Sequence, residues 1–587
     1  MKSFFKYTFA SVLGTFITLA IIFFLFLGIA LSVSEKEPVT VKSNSILKIS
    51  LSKPITEREP INPLSEFGLG DNNYIQGLNS VLASIKQAKE DPNIKGIYLD
   101  AGIIAGGGLA TLEEIRNALL DFKKSGKFII SYAENYSQKA YYVASVSDKI
   151  YINPMGIIDF KGLYAQIAFF KNALDKLDIQ MQIIRGPGNK FKSAVEPFIL
   201  DRMSEANKEQ TSVFLSSLWE NMLTNISKSR NISVKKLQQI ADNLTTYDTD
   251  AAFKNGIVDG LKYLNEVNEE LKILTKTPKN KELTFINIGE YQQTLKIQNR
   301  KSKNKIALIY ASGEIVSGEG DDETIGSDRL AAAISDARKD ISIKAIVLRV
   351  NSPGGSALAS EIIYHELILA KAVKPVVISM GDYAASGGYY ISCMANKIFA
   401  QPNTITGSIG VFGMIPNIKN FVNNKLGITF DGVKTGENAD MSSIVKPLSE
   451  FQTETIRNAI DHIYNTFIGH VADGRNLSKN IVDSMAQGRV WSGTDAKKLG
   501  LVDELGNIDN AIAMAAKLAK LENYRITELP KQKTIIEEIL RNLNSQTSAI
   551  LYLKNNFGVY GQYINYLKTI DQKDNYQARI PYIIDIQ

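Results

Sequence analysis

Residues 381–390 read G-D-Y-A-A-S-G-G-Y-Y. An apolar run, 375–380, leads into them, and a helix-compatible run, 389–395, leads out. The spacing predicts a strand, a tight turn of small residues, then a helix. Ser386 sits in that turn between Ala385 and Gly387. Small neighbours admit a substrate backbone, and Gly387 can take backbone angles closed to other residues. The free N–H groups at a helix start suit a developing oxyanion. The pattern follows the logic of a nucleophile elbow, although it is not G-x-S-x-G. A plain N-cap serine is the competing reading, since serine is favoured there. The stretch alone leaves the two open.

Working outward, strand-like runs alternate with helical ones. Strands are expected at 46–51, 94–99, 128–132, 306–310, 343–350 and 376–380, with helices at 78–88, 111–124, 328–338 and about 357–371. That alternation implies α/β units with a parallel sheet. The order occurs twice. I-K-G-I-Y-L at 94–99 matches I-K-A-I-V-L at 343–348, and Y-Y followed by D-K-I-Y-I-N-P (148–154) matches Y-Y followed by N-K-I-F-A-Q-P (396–402). A period near 248 residues means two duplicated domains, not a solenoid. The expected units are residues 1–36, a first repeat 45–275, a lysine-rich bridging segment 276–304, a second repeat 305–530 and a helical C-terminal extension 531–587. Opposite Ser386 the first repeat carries Gln138, and it has no counterpart of the Pro353-Gly354-Gly355 loop.

The 587 residues suffice for roughly three to four domain-sized units. A net charge of +6 over that length does not argue for nucleic acid. One cysteine, Cys393, rules out an intrachain disulfide and reads as buried packing. Residues 7–34 carry no charge and are rich in Phe, Leu and Ile, long enough for a helix of about 20 apolar residues to span a bilayer. Lys2 and Lys6 precede the run, which places the N-terminus in the cytoplasm and the rest outside it. An uncleaved anchor is favoured over a signal peptide, whose apolar region is usually shorter. In the C-terminal extension, 535–543 and 550–567 have helical spacing. They suit packing on the domain or a neighbouring subunit, with membrane contact or a covering for the groove as alternatives.

A serine nucleophile needs a base. The three histidines, His365, His462 and His470, lie in helical runs and read as helix-surface or core residues, since nothing in the pattern pairs them with a carboxylate or loop in the manner of a catalytic site. No spacing suits a metal, and no cofactor is implied. A lysine can serve if burial lowers its pKa. Lys192, in G-P-G-N-K-F-K-S-A-V-E-P-F (186–198), is followed by small and apolar residues that could desolvate it. The matching part of the second repeat, 440–447, has no lysine at that place. A lone loop lysine is nevertheless usually solvated.

Four motifs together, A-A-S-G-G-Y (384–389), V-N-S-P-G-G-S (350–356), T-G-S-I-G-V-F-G (406–413) and F-K-S-A-V-E-P-F (191–198), resemble the signal peptide peptidase A family in its long form, also called protease IV. The similarity runs from about residue 45 to about 530. The resemblance implies tandem Clp/crotonase-like domains of repeated β-β-α units after one transmembrane helix. It implies a Ser/Lys dyad with Ser386 as nucleophile and Lys192 as general base. Ser408 would position the lysine, and the N–H of Gly387, with that of Gly354 or Gly355, would form the oxyanion hole. Lys190 falls outside the motif position and receives no role. The resemblance further implies a homotetramer with its grooves at subunit contacts, seated in the bacterial cytoplasmic membrane with the catalytic domains outside, cutting leftover signal peptides.

Three other readings stay in view. A Ser/His/Asp peptidase of the same fold would need a histidine in 402–413, where there is none. A crotonase-like acyl-CoA enzyme would need neither the Ser/Lys split nor the anchor. A membrane-anchored scaffold with a dead site belongs to a different class and is opposed by the presence of both Ser386 and Lys192.

Overall fold

The structure, a computed structural model, describes residues 2–33, 39–59, 75–186, 189–295, 302–532 and 576–579. The expected helical stretches 535–543 and 550–567 lie outside the described residues.

Each repeat is built on a parallel sheet. In the first, the strands run in the order Gly260–Leu261, Lys149–Ile152, Phe128–Ala133, Ile94–Asp100, Ser45–Ser50, Phe285–Asn287, all parallel. The second has the same core order: Glu504–Leu505, Lys397–Ala400, Val376–Ala385, Ile343–Ser352, Lys305–Ser312, Arg525–Leu529. It adds Ile405–Gly407 beside Val376–Ala385, with Val490–Ser492 antiparallel beyond it. The central strands are nearly continuous in Ile, Val and Leu because both faces are covered. Helix Leu78–Glu90 buries Leu78, Val81, Ile85 and Ala88, one stripe at helical spacing. Helix Ala357–Lys371 does the same with Ala359, Ile363, Leu367 and Ala370. The segment 276–304, read as bridging, supplies Phe285–Asn287, which pairs with Ser45–Ser50 as the edge of the first sheet. It corresponds to Arg525–Leu529 at the edge of the second.

A third sheet stitches the repeats together. Its order is Thr324–Gly326, Glu314–Val316, Gly354–Ser356, Tyr576–Arg579, Phe412–Asn417, Gln180–Arg185. The last two strands come from different repeats and pair antiparallel over six residues, from Phe412 opposite Arg185 to Asn417 opposite Gln180. Asp382, four residues before Ser386, also crosses between repeats. Its carboxylate accepts from the N–H groups of Gly108 and Thr111 and from the Thr111 hydroxyl, at 2.7–2.9 Å.

Three local expectations differ from the structure. The strand before Ser386 runs on through Ala385, because residues 383–385 pair with 405–407. The helix after it is short, Gly387–Tyr390. Asn396 is tied to Val376 by its own N–H and by its side-chain amide oxygen, which turns the chain back into Lys397–Ala400. Gly354–Ser356, expected as loop, is a short strand. A Cβ at Gly355 would lie 2.1 Å from the Ile315 carbonyl oxygen, so this close pairing requires glycine.

At the N-terminus, Lys2–Val33 form one helix. Among the described residues, no helix is long and apolar enough to cross a membrane.

Candidate active site

Ser386 caps the short helix by position but not by chemistry. Its backbone lies at φ +56°, ψ −114°, and its side chain makes no capping bond. A non-glycine residue held there costs roughly 1–3 kcal/mol and persists only where its surroundings enforce it. They do so here: the Ser386 N–H donates to the Gly407 carbonyl at 2.8 Å, and the Tyr390 N–H donates to the Ser386 carbonyl at 2.8 Å. The hydroxyl is left to face Lys192.

Lys192 arrives from the first repeat, seven residues after the strand Gln180–Arg185. Its Nζ lies 2.9 Å from Ser386 Oγ and donates to the Ser408 carbonyl and hydroxyl oxygens, both at 3.0 Å. All three residues are fully buried. A neutral amine has two N–H groups and one lone pair, so two acceptors on Ser408 leave the lone pair for the Ser386 hydroxyl. Burial alone drives the Lys192 amine well below the ordinary lysine range. An uncharged amine at this distance can accept the serine proton.

The lysine's approach is itself tightly fitted. Gly488, at φ +78°, lies against it, and a Cβ there would come within 2.5 Å of Lys192 Cβ. Ser408 also sits at positive φ, +51°, with its N–H donating to the Arg489 carbonyl at 2.7 Å. Gly387 opens the helix, so its N–H has no acceptor within that helix. The Gly354 N–H donates to Ser352 Oγ at 3.2 Å. Gly388 packs so closely on Ser352 that a Cβ there would lie 2.7 Å from its carbonyl oxygen. The glycine strand is thereby brought beside the nucleophile turn. Tyr576–Arg579 lies antiparallel between Gly354–Ser356 and the start of Phe412–Asn417.

The first repeat shows the same turn put to another use. Ser137 is an ordinary N-cap at φ −67°, its side chain accepting from the Ala140 N–H. Gln138 follows, accepts from the Lys161 and Gly162 N–H groups and donates to the Gly162 carbonyl, which closes the position. The tyrosine that follows is used alike in both repeats: Tyr141 donates to the Ile257 carbonyl and Tyr389 to the Leu501 carbonyl.

His470, expected as a helix-surface or core histidine, has a carboxylate partner from another helix. Its Nε2 lies 3.0 Å from Glu361, and its ring stacks on Tyr364. That pairing joins two helices far apart in sequence, so no local pattern announces it. It ties helix Glu450–Arg475 to helix Ala357–Lys371 and does not touch Ser386. Among the described residues no group of acidic, His and Cys side chains is arranged to hold a metal. Cys393 is buried, and burial pushes its thiol up to about 12.

Two segments, 121–277 and 368–522, match the family model described as peptidase family S49, one in each repeat. Protease 4 of Salmonella typhi is 41% identical over 81% of this chain and 77% of its own length. Protease 4 of Haemophilus influenzae is 40% identical over 75% and 72%. The chloroplastic serine protease SPPA of Arabidopsis thaliana is 31% identical over 87% and 75%. The chain is a serine peptidase. It belongs to peptidase family S49, in its duplicated form, and the likeness to signal peptide peptidase A read from four motifs extends over most of its length.

Proposed function

We propose that this chain is a membrane-anchored serine endopeptidase with a Ser/Lys dyad split between two Clp/crotonase-like repeats, and that it degrades remnant signal peptides at the membrane. The observation that carries this reading is the 2.9 Å approach of the buried Lys192 amine to Ser386 Oγ. Lys192 takes the hydroxyl proton as Oγ attacks a peptide carbonyl, then passes it to the leaving amine. Water then attacks the acyl-enzyme and gives its proton to the Lys192 amine, which returns it to Ser386 Oγ as the acyl–oxygen bond breaks and the peptide acid leaves. Ser408 holds the lysine. The N–H of Gly387, with that of Gly354 or Gly355, steadies the oxyanion, each donor being worth roughly 3–4 kcal/mol. No cofactor enters the chemistry.

The N-terminal helix is the proposed anchor. In the sequence residues 7–34 are uncharged, and in the helix Phe4, Tyr7, Phe9, Phe16 and Phe24 are all more than 60% exposed, which suits burial in lipid. Lys2 and Lys6 favour an extracytoplasmic catalytic part. The anchor raises the effective concentration of membrane-bound substrates. Assembly as a homotetramer is part of the same reading.

The test is labelling by a fluorophosphonate serine probe across pH, on the solubilised protein and its Ser386→Ala and Lys192→Ala variants. Labelling of the wild type alone, rising as pH increases, supports the split dyad. Normal labelling of Lys192→Ala places the base elsewhere. A folded wild type that never labels moves the scaffold reading ahead.

A further inference from the structure

Gln210 belongs to none of the sequence motifs, yet it touches the polypeptide on both sides of Lys192. It lies on the first repeat's helix Glu205–Arg230 and is 1% exposed. Its Nε2 donates to the Phe191 carbonyl and to the Ser193 hydroxyl, both at 2.9 Å, with a longer contact of 3.4 Å to Asn207 Oδ1. Its Oε1 accepts from the Val490 N–H of the second repeat at 3.3 Å. Val490 is paired with Gly407, whose carbonyl accepts from the Ser386 N–H. The residue after Gly407 is Ser408, which holds Lys192 Nζ.

These contacts form a closed circuit. The backbone end of Lys192 is fixed through Phe191 and Ser193 to one amide. That amide is fixed to the strand registered against Ser386 and Ser408. The amine end is held by those same two serines. The helix bearing Gln210 is anchored to the base-bearing segment a second time. Glu196, four residues past Lys192, accepts from the Ser204 hydroxyl at 2.6 Å, from the Ser204 N–H at 3.2 Å and from Asn207 Nδ2 at 2.9 Å. A purely packing role would not require one buried amide to join both flanks of the lysine to the opposite repeat.

We propose that Gln210 is a positioning residue for the reaction: it sets the register of the Lys192 segment against strand Val490–Ser492, and through it the Lys192–Ser386 distance. The proposal rests on the Ser/Lys reading. A misplacement of about 1 Å can cost about a hundredfold in rate, so the effect belongs in the rate constant and not in substrate affinity.

The experiment is the rate and stoichiometry of fluorophosphonate labelling against pH on the full chain, with KM and kcat for a peptide substrate. It compares wild type, Lys192→Ala, Gln210→Leu and the isosteric Gln210→Glu. Gln210→Leu is expected to label to full stoichiometry but about ten- to a hundredfold more slowly. Its pH midpoint should be displaced and its KM held within about twofold. Gln210→Glu should also label slowly, with its midpoint moved to higher pH because a nearby carboxylate favours the ammonium form. A merely structural glutamine lowers the labelled fraction and leaves rate constant and midpoint alone, and that result overturns the proposal. If Gln210→Leu does not fold, Gln210→Glu decides by the same two readouts. If Lys192→Ala labels as fast as wild type, the dyad falls and this proposal with it. If Lys192→Ala is inert while both Gln210 variants match wild type, only this proposal falls.

Discussion

Arg349 of the second repeat and Glu57 of the first form a buried ion pair, Nε to carboxylate 2.8 Å. Glu114, also of the first repeat, sits 2.7 Å from the same guanidinium, which donates further to Ser379 Oγ and the Met380 carbonyl. Glu57 in turn accepts from the Asn351 side chain, and Asn351 accepts from the Tyr383 N–H. The charges that join the two repeats thus lie against the strand that leads into Ser386. Replacing Arg349 by Met should leave two buried carboxylates without their cation. A loss of about 3–5 kcal/mol is expected, read by denaturant unfolding.

Burial pushes the carboxyls of Glu113 and Glu114 up to about 7. The unfolded value is about 4.3, so between the two the folded state holds more protons than the unfolded. The stability this contributes is fully present below about pH 4.3 and is lost as pH rises through 7. Thermal unfolding of Glu114→Gln between pH 5 and 8 should show a shallower fall than wild type. An equal or steeper fall would contradict the assignment.

Lys192 has the opposite sign. Its folded pKa is depressed below the unfolded value of about 10.4. The unfolded chain therefore holds the extra proton between the two, and stability rises with pH across that window. Lys192→Met should be more stable than wild type at neutral pH, with the advantage shrinking toward pH 10. Its peptidase activity should fall roughly 10²–10⁴-fold, the usual contribution of a general base.

Gly488→Ala introduces a methyl at positive φ and within 2.5 Å of Lys192 Cβ. The nearest atoms include Lys192 Cα and N, which no side-chain rotation can move, so the lysine segment must shift. Activity should drop by about a hundredfold, with KM nearly unchanged, in steady-state peptide hydrolysis.

Gln577 is paired on both sides, with Ser356 and with Phe412. Proline has no N–H to give to such a ladder. An extended peptide substrate that adds as a strand to these edges would compete with Tyr576–Arg579 for them. Gln577→Pro should therefore lower KM for peptides several-fold at unchanged kcat, and faster hydrogen exchange at Ser356 and Phe412 in the substrate-free variant would accompany it.

The order of strands and helices, the duplication, and the asymmetry of Ser386 against Gln138 could be read from the sequence. Each rests on local periodicity, on small-residue turns or on internal likeness, which are properties of neighbouring positions. Lys192 was singled out by its motif and its absence from the other repeat, but its full burial could not be read, because Ser386, Ser408 and Gly488, which lie against it, belong to the other repeat. Gln210 and Gly488 gave no signal beyond ordinary helix and loop residues, and Glu196 was visible only as part of the motif at 191–198. The importance of Gln210 depends on pairs 17 to 280 positions apart. Sequence by itself determined the duplication, the order of strands and helices within each repeat, and that Ser386 and Lys192 belong to different repeats. The tertiary structure alone decided that Gln180–Arg185 pairs with Phe412–Asn417, and so that an amine from one repeat meets a hydroxyl from the other. Long-range strand pairing is set by which edges remain open after each sheet has formed, and that is a property of the assembled surfaces, not of any stretch of chain.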